Sequence, residues 1–312
     1  MEHDDTDASM VRQQNFECQE PIDISVELDS GRLDITLEEG PKEGPEEDTA
    51  DPGVTVQIRP DPTSQPAWNV GIGGLLNWLG EQTGATPPGA LAAEAVRRTV
   101  IDFTGRRLTV RTPREAPLRT VPLMIEVSAP AGSSINARSG SADVAVTGVS
   151  AALDVATGSG QVRAQRCTGA AEVRTGSGDV RLGTVLGQLQ VRTGSGEVDV
   201  ISVEGTRGSG TVHTSSGDVR LGAVAHDVSA RTGSGDLTVV DASAGGLELT
   251  TGSGQLRVGI HPGVLAELDV SSGSGRARSD LPVGGPPAEG DVVLRVRART
   301  GSGDALVTAA PS

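Results

Sequence analysis

From about residue 138 onward, apolar and polar residues alternate in short runs, and the runs recur at a fixed interval. In one interval, residues 179–182 (DVRL) and 189–192 (LQVR) each place every second side chain on one face. A period of two over so few residues predicts half-buried strands; neither run has the length or spacing of an amphipathic helix. Gly176, Gly178, Gly183 and Gly187 punctuate the two strands. A Thr/Ser-Gly-Ser-Gly-like corner opens each interval, at Ser139, Thr157, Thr175, Thr193, Thr214, Thr232, Thr251, Ser272 and Thr300. The steps are 18, 18, 18, 21, 18, 19, 21 and 28, which makes nine copies with a base period of 18 and loop insertions toward the C-terminal side.

Aligned on the corner, the copies form columns. One inward column reads Val144, Val162, Val180, Val198, Val219, Leu237, Leu256, Ala277 and Ala305. The next reads Val146, Ala164, Leu182, Val200, Leu221, Val239, Val258, Ser279 and Val307. Just before the corner stand Arg138, Arg174, Arg192, His213, Arg231 and Arg299; just after it stand Asp143, Asp179, Glu197, Asp218, Asp236 and Asp304. Like residues at one fixed period mean that each copy sits on its neighbour. The prediction is an all-β fold, a single-stranded parallel β-solenoid (β-helix) with turns of about 18 residues. Nine turns would make a rod roughly 40 Å long. In the corner, Gly tolerates positive φ and tight packing, and the Thr and Ser hydroxyls can bond backbone groups. Thr157, Thr175, Thr193, Thr214, Thr232, Thr251 and Thr300 are therefore a candidate structural ladder. An antiparallel hairpin meander is the alternative, but it has no reason to repeat the same residues on every strand.

The rest of the chain is less regular. Residues 1–20 read as a disordered acidic tail, and residues 21–104 as N-terminal strands with an acidic loop and a helical capping insert. Within the latter, IDISVELDSGRLDITL at 22–37 reads as two strands, 39–52 as the acidic loop, VTVQIRP at 54–60 as a strand, and 75–81 and 90–98 as short helices. The solenoid array is expected over 105–309, with the N-terminal strands adding irregular first coils. The closing TAAPS offers the last coil little cover, although an open coil exposes unpaired strand groups.

Composition sharpens this picture in three ways. There is no Tyr, and the only aromatics are two Phe and two Trp, so the core must be Val, Leu, Ile and Ala, as a narrow solenoid requires. The net charge of −15 sits at one end: residues 1–52 carry 17 acids against Arg12, Arg32 and Lys42, leaving about −1 for the remainder. An acidic end over a balanced body argues against nucleic-acid binding, which needs a basic footprint. Cys18 and Cys167 form neither a CxxC motif nor a disulfide framework. MEHDDTDASM lacks the features of a signal peptide, and VGIGGLLNWL is too short to span a bilayer, so the expected location is cytoplasmic.

Four features resemble a known family: the TGSGDV and TGSGEV repeats, GRRLTVRTP at 105–113, LMIEVSAPAGSSINARSGSADV at 123–144, and VRARTGSGDALV at 296–307. Together they resemble the bacterial adhesin-like, or toast-rack, β-strand-repeat family, over residues 20–309. The resemblance implies a single-stranded β-helix and, for some relatives, a link to envelope stress. It supplies no catalytic motif. WNVGIGGLLNWLG at 68–80 departs from the family pattern.

No residue constellation points to chemistry. A β-helix polysaccharide-active enzyme would need clustered acids beside a groove, whereas these acids come once per turn next to an Arg, the pattern of surface cross-strand pairs. His3, His213, His226 and His261 have no spacing for a triad or a metal site. The Asp after the second Gly is one residue out of register for a calcium-binding nonapeptide, and GIGG at 71–74 is not a phosphate loop. No cofactor is expected. The sequence reads as a non-enzymatic interaction or scaffold module, with an unidentified protein partner or self-association as its business. The alternative is a self-assembling, bactofilin-like structural solenoid. Trp68, Leu75, Leu76, Trp78 and Leu79 are the candidate interaction or capping residues, with a membrane-surface contact through 69–81 as a third expectation.

Overall fold

A computed structural model describes residues 10–39, 53–61, 88–205, 208–281 and 292–311. The regular structure of the described residues is nearly all strand, with one α-helix, Pro88–Arg98, and a 3-10 turn, Leu118–Thr120. The expected helix at 75–81 and all but the first residue of the expected acidic loop at 39–52 lie outside the described residues. The chain divides into two compact units, Met1–Gly148 and Val149–Ser312.

In the second unit the fold is a β-solenoid of two-stranded coils. The strand before each corner joins one sheet, and the strand after it joins the other. Strands within each sheet are parallel and in register, column on column: Val162 on Val180 on Val198 on Val219 on Leu237, and Thr175 on Thr193 on Thr214 on Thr232. The parallel pairing excludes the hairpin meander. Side chains alternate inward and outward as the sequence predicts, with one addition. After the corner, strands such as Val180–Val185 turn two successive residues outward and then one more inward. This makes a third buried column of Cys167, Val185, Val203, Val224, Ala242 and Ile260. Simple alternation does not reveal it, because the period of two breaks there. Cys167 is thus a small core residue standing where the other coils have aliphatic side chains.

The corner glycines do not serve the conformational role expected of them. None of the glycines in the Thr-Gly-Ser-Gly corners lies in the positive-φ region. Their reason is room. A Cβ on Gly178, Gly196, Gly217, Gly235 or Gly254 would collide with the carbonyl oxygen of the equivalent glycine in the coil it sits on. Parallel coils stack closely enough only if the corner has no side chain on that side.

The coil order at the C-terminal side departs from the sequence order. In one sheet Gly245–Thr251 pairs with Leu294–Thr300, which pairs with Ala266–Ser272. In the other, Leu256–Ile260 pairs with Ala305–Ala309, which pairs with Ala277–Ser279. The last coil in sequence is therefore inserted beneath the coil that precedes it. TAAPS is not the end of the stack; the outermost coil is Ala266–Ser279. The inward positions of the two coils are apolar in both, except that the inserted coil has buried Val307 where the outer one carries Ser279.

The first unit repeats this device. Asp23–Leu28 lies between Arg107–Arg111 and Ser134–Ser139, and Gly31–Glu38 lies between Leu123–Pro130 and Asp143–Ser150. The N-terminal strands are not irregular first coils ahead of residue 105. They form a regular, Ile- and Leu-rich coil inserted into the array, so a boundary at 104/105 cuts through paired strands. Nor is the whole of residues 1–20 a disordered tail. Arg12–Glu17 is a strand, antiparallel to Gly53–Pro60, which runs antiparallel to Leu123–Pro130. Its sequence, RQQNFE, has too few apolar residues to announce a strand, because it uses its partner's buried Val54, Val56 and Ile58 instead of its own.

This side of the unit is also where the described cap lies. Val100–Thr104 closes the second sheet antiparallel to Arg107–Arg111, and Phe16 stacks on Phe103 with centroids 4.9 Å apart. The chain's only two Phe residues meet there. The helix buries Ala95 and Val96, and Arg12 donates to the carbonyls of Arg97 and Thr99 at 3.2 and 2.6 Å.

On the outer face of this unit, Asp34 sits in register with Glu126, a like-charged neighbour. Arg59 binds Glu126 at 3.1 Å. Burial pushes the Asp34 carboxyl above its ordinary value; Arg32 opposes the shift, and Glu126 and Asp61 reinforce it. Because the folded value is raised, folding costs nothing at this group when it is protonated in both states. The penalty appears as the pH rises from the ordinary carboxylate range through the raised value. Asp34→Asn should therefore melt at a higher temperature than the parent at pH 7. The gap should shrink as the pH falls through the carboxylate range, which paired thermal scans at stepped pH will read.

Candidate functional site

The corner ladder is the most elaborated feature of the second unit. Each corner Thr is buried, from fully at Thr214 to 8 % exposed at Thr175. Its Oγ1 accepts the N–H of the second corner glycine: Thr157 from Gly160, Thr175 from Gly178, Thr193 from Gly196, Thr214 from Gly217, Thr232 from Gly235, Thr251 from Gly254 and Thr300 from Gly303, all at 3.0–3.1 Å. The same hydroxyl can donate to the neighbouring coil. Thr232 donates to the Gly217 carbonyl at 3.0 Å and Thr251 to that of Gly235 at 2.9 Å. Thr300 donates to Gly254 at 2.9 Å and Ser272 to Gly303 at 2.8 Å, following the inserted order of the coils. The ladder closes hydrogen bonds that a tight buried turn would otherwise leave open.

The acidic column does a different job from the cross-strand pairing expected of it. The Asp179 carboxylate accepts the backbone N–H of Glu197 at 3.1 Å, and Asp218 accepts that of Asp236 at 2.7 Å. Asp236 accepts from Gln255 at 2.8 Å, and Asp304 from Arg276 at 2.9 Å. Each acid thus binds the residue that occupies its own place in the next coil. The side chain is short, and the coil spacing brings that amide nearer than the Arg two residues along. The Arg181 guanidinium is 3.6 Å from Asp179. An exposed pair of that kind contributes only about 0–1 kcal/mol.

An open depression of about 340 Å³ runs over this column, lined by Arg181, Glu197, Asp199, Asp218, Arg220 and Asp236 among others. Asp199 stands in register between Arg181 and Arg220. Asp218 and Asp236 are committed to backbone amides as above. The arrangement offers a face on which basic and acidic side chains alternate along the stack.

The remaining reactive groups are scattered. His213 lies in the outward column between Arg192 and Arg231. His261 meets Asp241, with Nδ1 3.0 Å from the carboxylate on an exposed surface. Sequence spacing conceals that pair, whose 20-residue separation becomes one coil of the stack. Burial raises the Cys167 thiol, so it is a poor nucleophile at neutral pH. Cys18 is half-buried and free. Among the described residues, no group of three or more His, Cys, Asp or Glu could hold a metal ion. None of the described helices is long and apolar enough to cross a membrane. Trp68, Leu75, Leu76, Trp78 and Leu79 lie outside the described residues, as does His3.

Comparisons with known proteins bear on the array. Residues 125–224 match the family model described as Toastrack DUF4097. None of the curated proteins matches the chain. Solved structures similar to it include three proteins each called a "putative adhesin". The one from Bacteroides fragilis NCTC 9343 is 11% identical, with 96% of this chain and 95% of that chain covered and a TM-score of 0.38. The one from Parabacteroides merdae ATCC 43184 is 10% identical, with 96% of each chain covered and a TM-score of 0.38. The one from Parabacteroides distasonis ATCC 8503 is 10% identical, with 95% and 96% covered and a TM-score of 0.31.

Proposed function

We propose, from the match of residues 125–224 to the Toastrack family model, that the chain is a non-enzymatic interaction scaffold. One observation carries the reading. Four acids of the corner column serve the backbone: Asp179, Asp218, Asp236 and Asp304 each accept an amide of the adjacent coil. What is left on the surface is a flat, repeating face of paired charges, suited to meeting a protein partner over many coils. The test is to incubate the full chain with soluble polysaccharides and follow the release of reducing ends. Asp218→Asn serves as the control. The expected result is no turnover from either protein, with the variant melting earlier than the parent. Turnover by the parent that disappears in Asp218→Asn overturns the scaffold reading.

Self-assembly is the second reading, and one observation favours it. The coil Ala266–Ser279 is the last strand pair in both sheets, and Leu265 beside it is 57% exposed. An edge of this kind can template pairing with another chain. Sedimentation velocity over a wide concentration range separates the two. Large, concentration-dependent species that shrink in Leu265→Lys support self-assembly, and a single species at every concentration removes it.

A further inference from the structure

The inserted coils pose a question of choice. Gly245–Thr251 pairs with Leu294–Thr300, and Ala266–Ser272 pairs with the same seven residues in the same register. Without the insert, Gly245 would face Ala266, and Thr251 would face Ser272. That is a step of 21 residues, and a step of 21 is stacked directly elsewhere in this unit, where Thr193 pairs with Thr214. The second sheet agrees: Leu256 and Ala277 both pair with Ala305. A competing stack in plain sequence order is therefore available in identical register. Connectivity favours it, since only residues 261–265 separate the two coils.

We infer that the side chains of coil 245–260 select the inserted neighbour over the sequential one, so that coil order is written in charge and core matching and not in chain order. Three positions favour the inserted order, and they outweigh Leu247 and Leu249, which meet Val296 and Ala298 where the sequential order would offer Leu268 and Val270. Glu248 lies in register with Arg297 in the inserted order and would lie against Asp269 in the sequential one. Arg257 lies beside Leu306 and would lie against Arg278. Val258 packs on Val307 and would pack on Ser279. Arg297 and Asp269 bind each other at 3.4 Å and are neighbours in either order, so that pair does not decide. The choice rests on what coil 245–260 itself meets. Like charges placed directly opposite on neighbouring strands disfavour pairing, and apolar matching favours the coil with Val over the one with Ser.

The first unit contains the same logic with the signs exchanged. Glu27 of the inserted strand pairs with Arg138 on one side and Arg111 on the other. Plain sequence order would set Arg111 against Arg138. An acid separates two bases on one side of the chain, and a base separates two acids on the other.

The test uses a cysteine reporter in the full chain, with Cys18→Ser and Cys167→Val as background. Thr250→Cys and Ser271→Cys are both in register with Arg299, one on each side of it. They stand two strand spacings apart, roughly 10 Å, beyond the reach of a disulfide. In the sequential stack they become direct neighbours and bond under mild oxidation. Two variants shift the choice. Glu248→Arg sets Arg against Arg297 and offers Asp269 a partner. A composition-neutral exchange, Arg297→Asp with Asp269→Arg, Leu306→Arg with Arg278→Leu and Val307→Ser with Ser279→Val, moves all three discriminators at once. The expected result is background cross-linking in the reporter parent, partial cross-linking with Glu248→Arg, and the intramolecular disulfide as the dominant product in the exchange variant. The inference falls if the parent cross-links as readily as the variants, or if the reporter stays reduced in both variants.

Discussion

Gly217→Ala should destabilise the second unit by on the order of 3 kcal/mol or more, one of the largest costs of any single methyl group in this protein. The Cβ would meet the Gly196 carbonyl oxygen and carbon and the Thr214 hydroxyl at once. Two of those three obstacles are backbone atoms of the adjacent coil, fixed by parallel pairing on both sides, so no rotamer can relieve them. The only relaxation is to lift one coil off the next, which loosens the Gly217 N–H bond to Thr214 Oγ1 at 3.0 Å as well. Gly105→Ala is the matched control. Gly105 has a φ of +62° and nothing within 4 Å of the added carbon, so its cost is backbone strain alone, about 1–2 kcal/mol. Urea midpoints of the two variants against the parent read the difference. Comparable shifts would mean that the corner glycines act through φ after all.

Leu237→Ala should cost about 2–5 kcal/mol, and Leu268→Ala about 1 kcal/mol or less. Both are inward leucines of the same fold, but their surroundings differ. Leu237 is 0% exposed, with Val219 on one side in the sheet and Leu256 on the other. Truncating it leaves a void that the neighbouring coils cannot close, because each is held in register from its far side. Leu268 is half-exposed in the outermost coil, whose strand pairs on one side only, with Leu294–Thr300. Truncation there opens to solvent and leaves no cavity. Thermal unfolding of the two variants should differ by several degrees. Equal destabilisation would mean that the outer coil is covered as well as the inner ones.

The array itself was legible because its physics repeats. A column of Val, Leu and Ala at a fixed step, a Thr or Ser at every corner and no room for aromatics can hardly be satisfied except by stacked parallel coils, and Val180, Val198 and Val219 lie where that reading puts them. What was illegible is what breaks the repetition. Residues 23–38 look like any pair of strands, and only their neighbours show that they belong inside the array. The reversed order in the second unit did leave a trace, since Ser279 makes a poorer inward residue than Val307. The acidic column misled because a sequence shows which side chains are near one another and not which backbone amides lie one coil away. Arg12–Glu17 was missed because a strand can borrow its partner's core.

The inserted coil also sets how the C-terminal side of the second unit bears load. A pull on an edge strand peels its hydrogen bonds one after another, and the outer strand Ala266–Ser272 is such an edge. A pull on the chain beyond residue 309 meets strands clamped on both faces: Ala305–Ala309 between Leu256–Ile260 and Ala277–Ser279, and Leu294–Thr300 between Gly245–Thr251 and Ala266–Ser272. Such a strand cannot be peeled; it must slide past two neighbours together, breaking both rows of bonds in shear. The edge that peels most readily is thus on a coil that a pull beyond residue 309 does not grip directly.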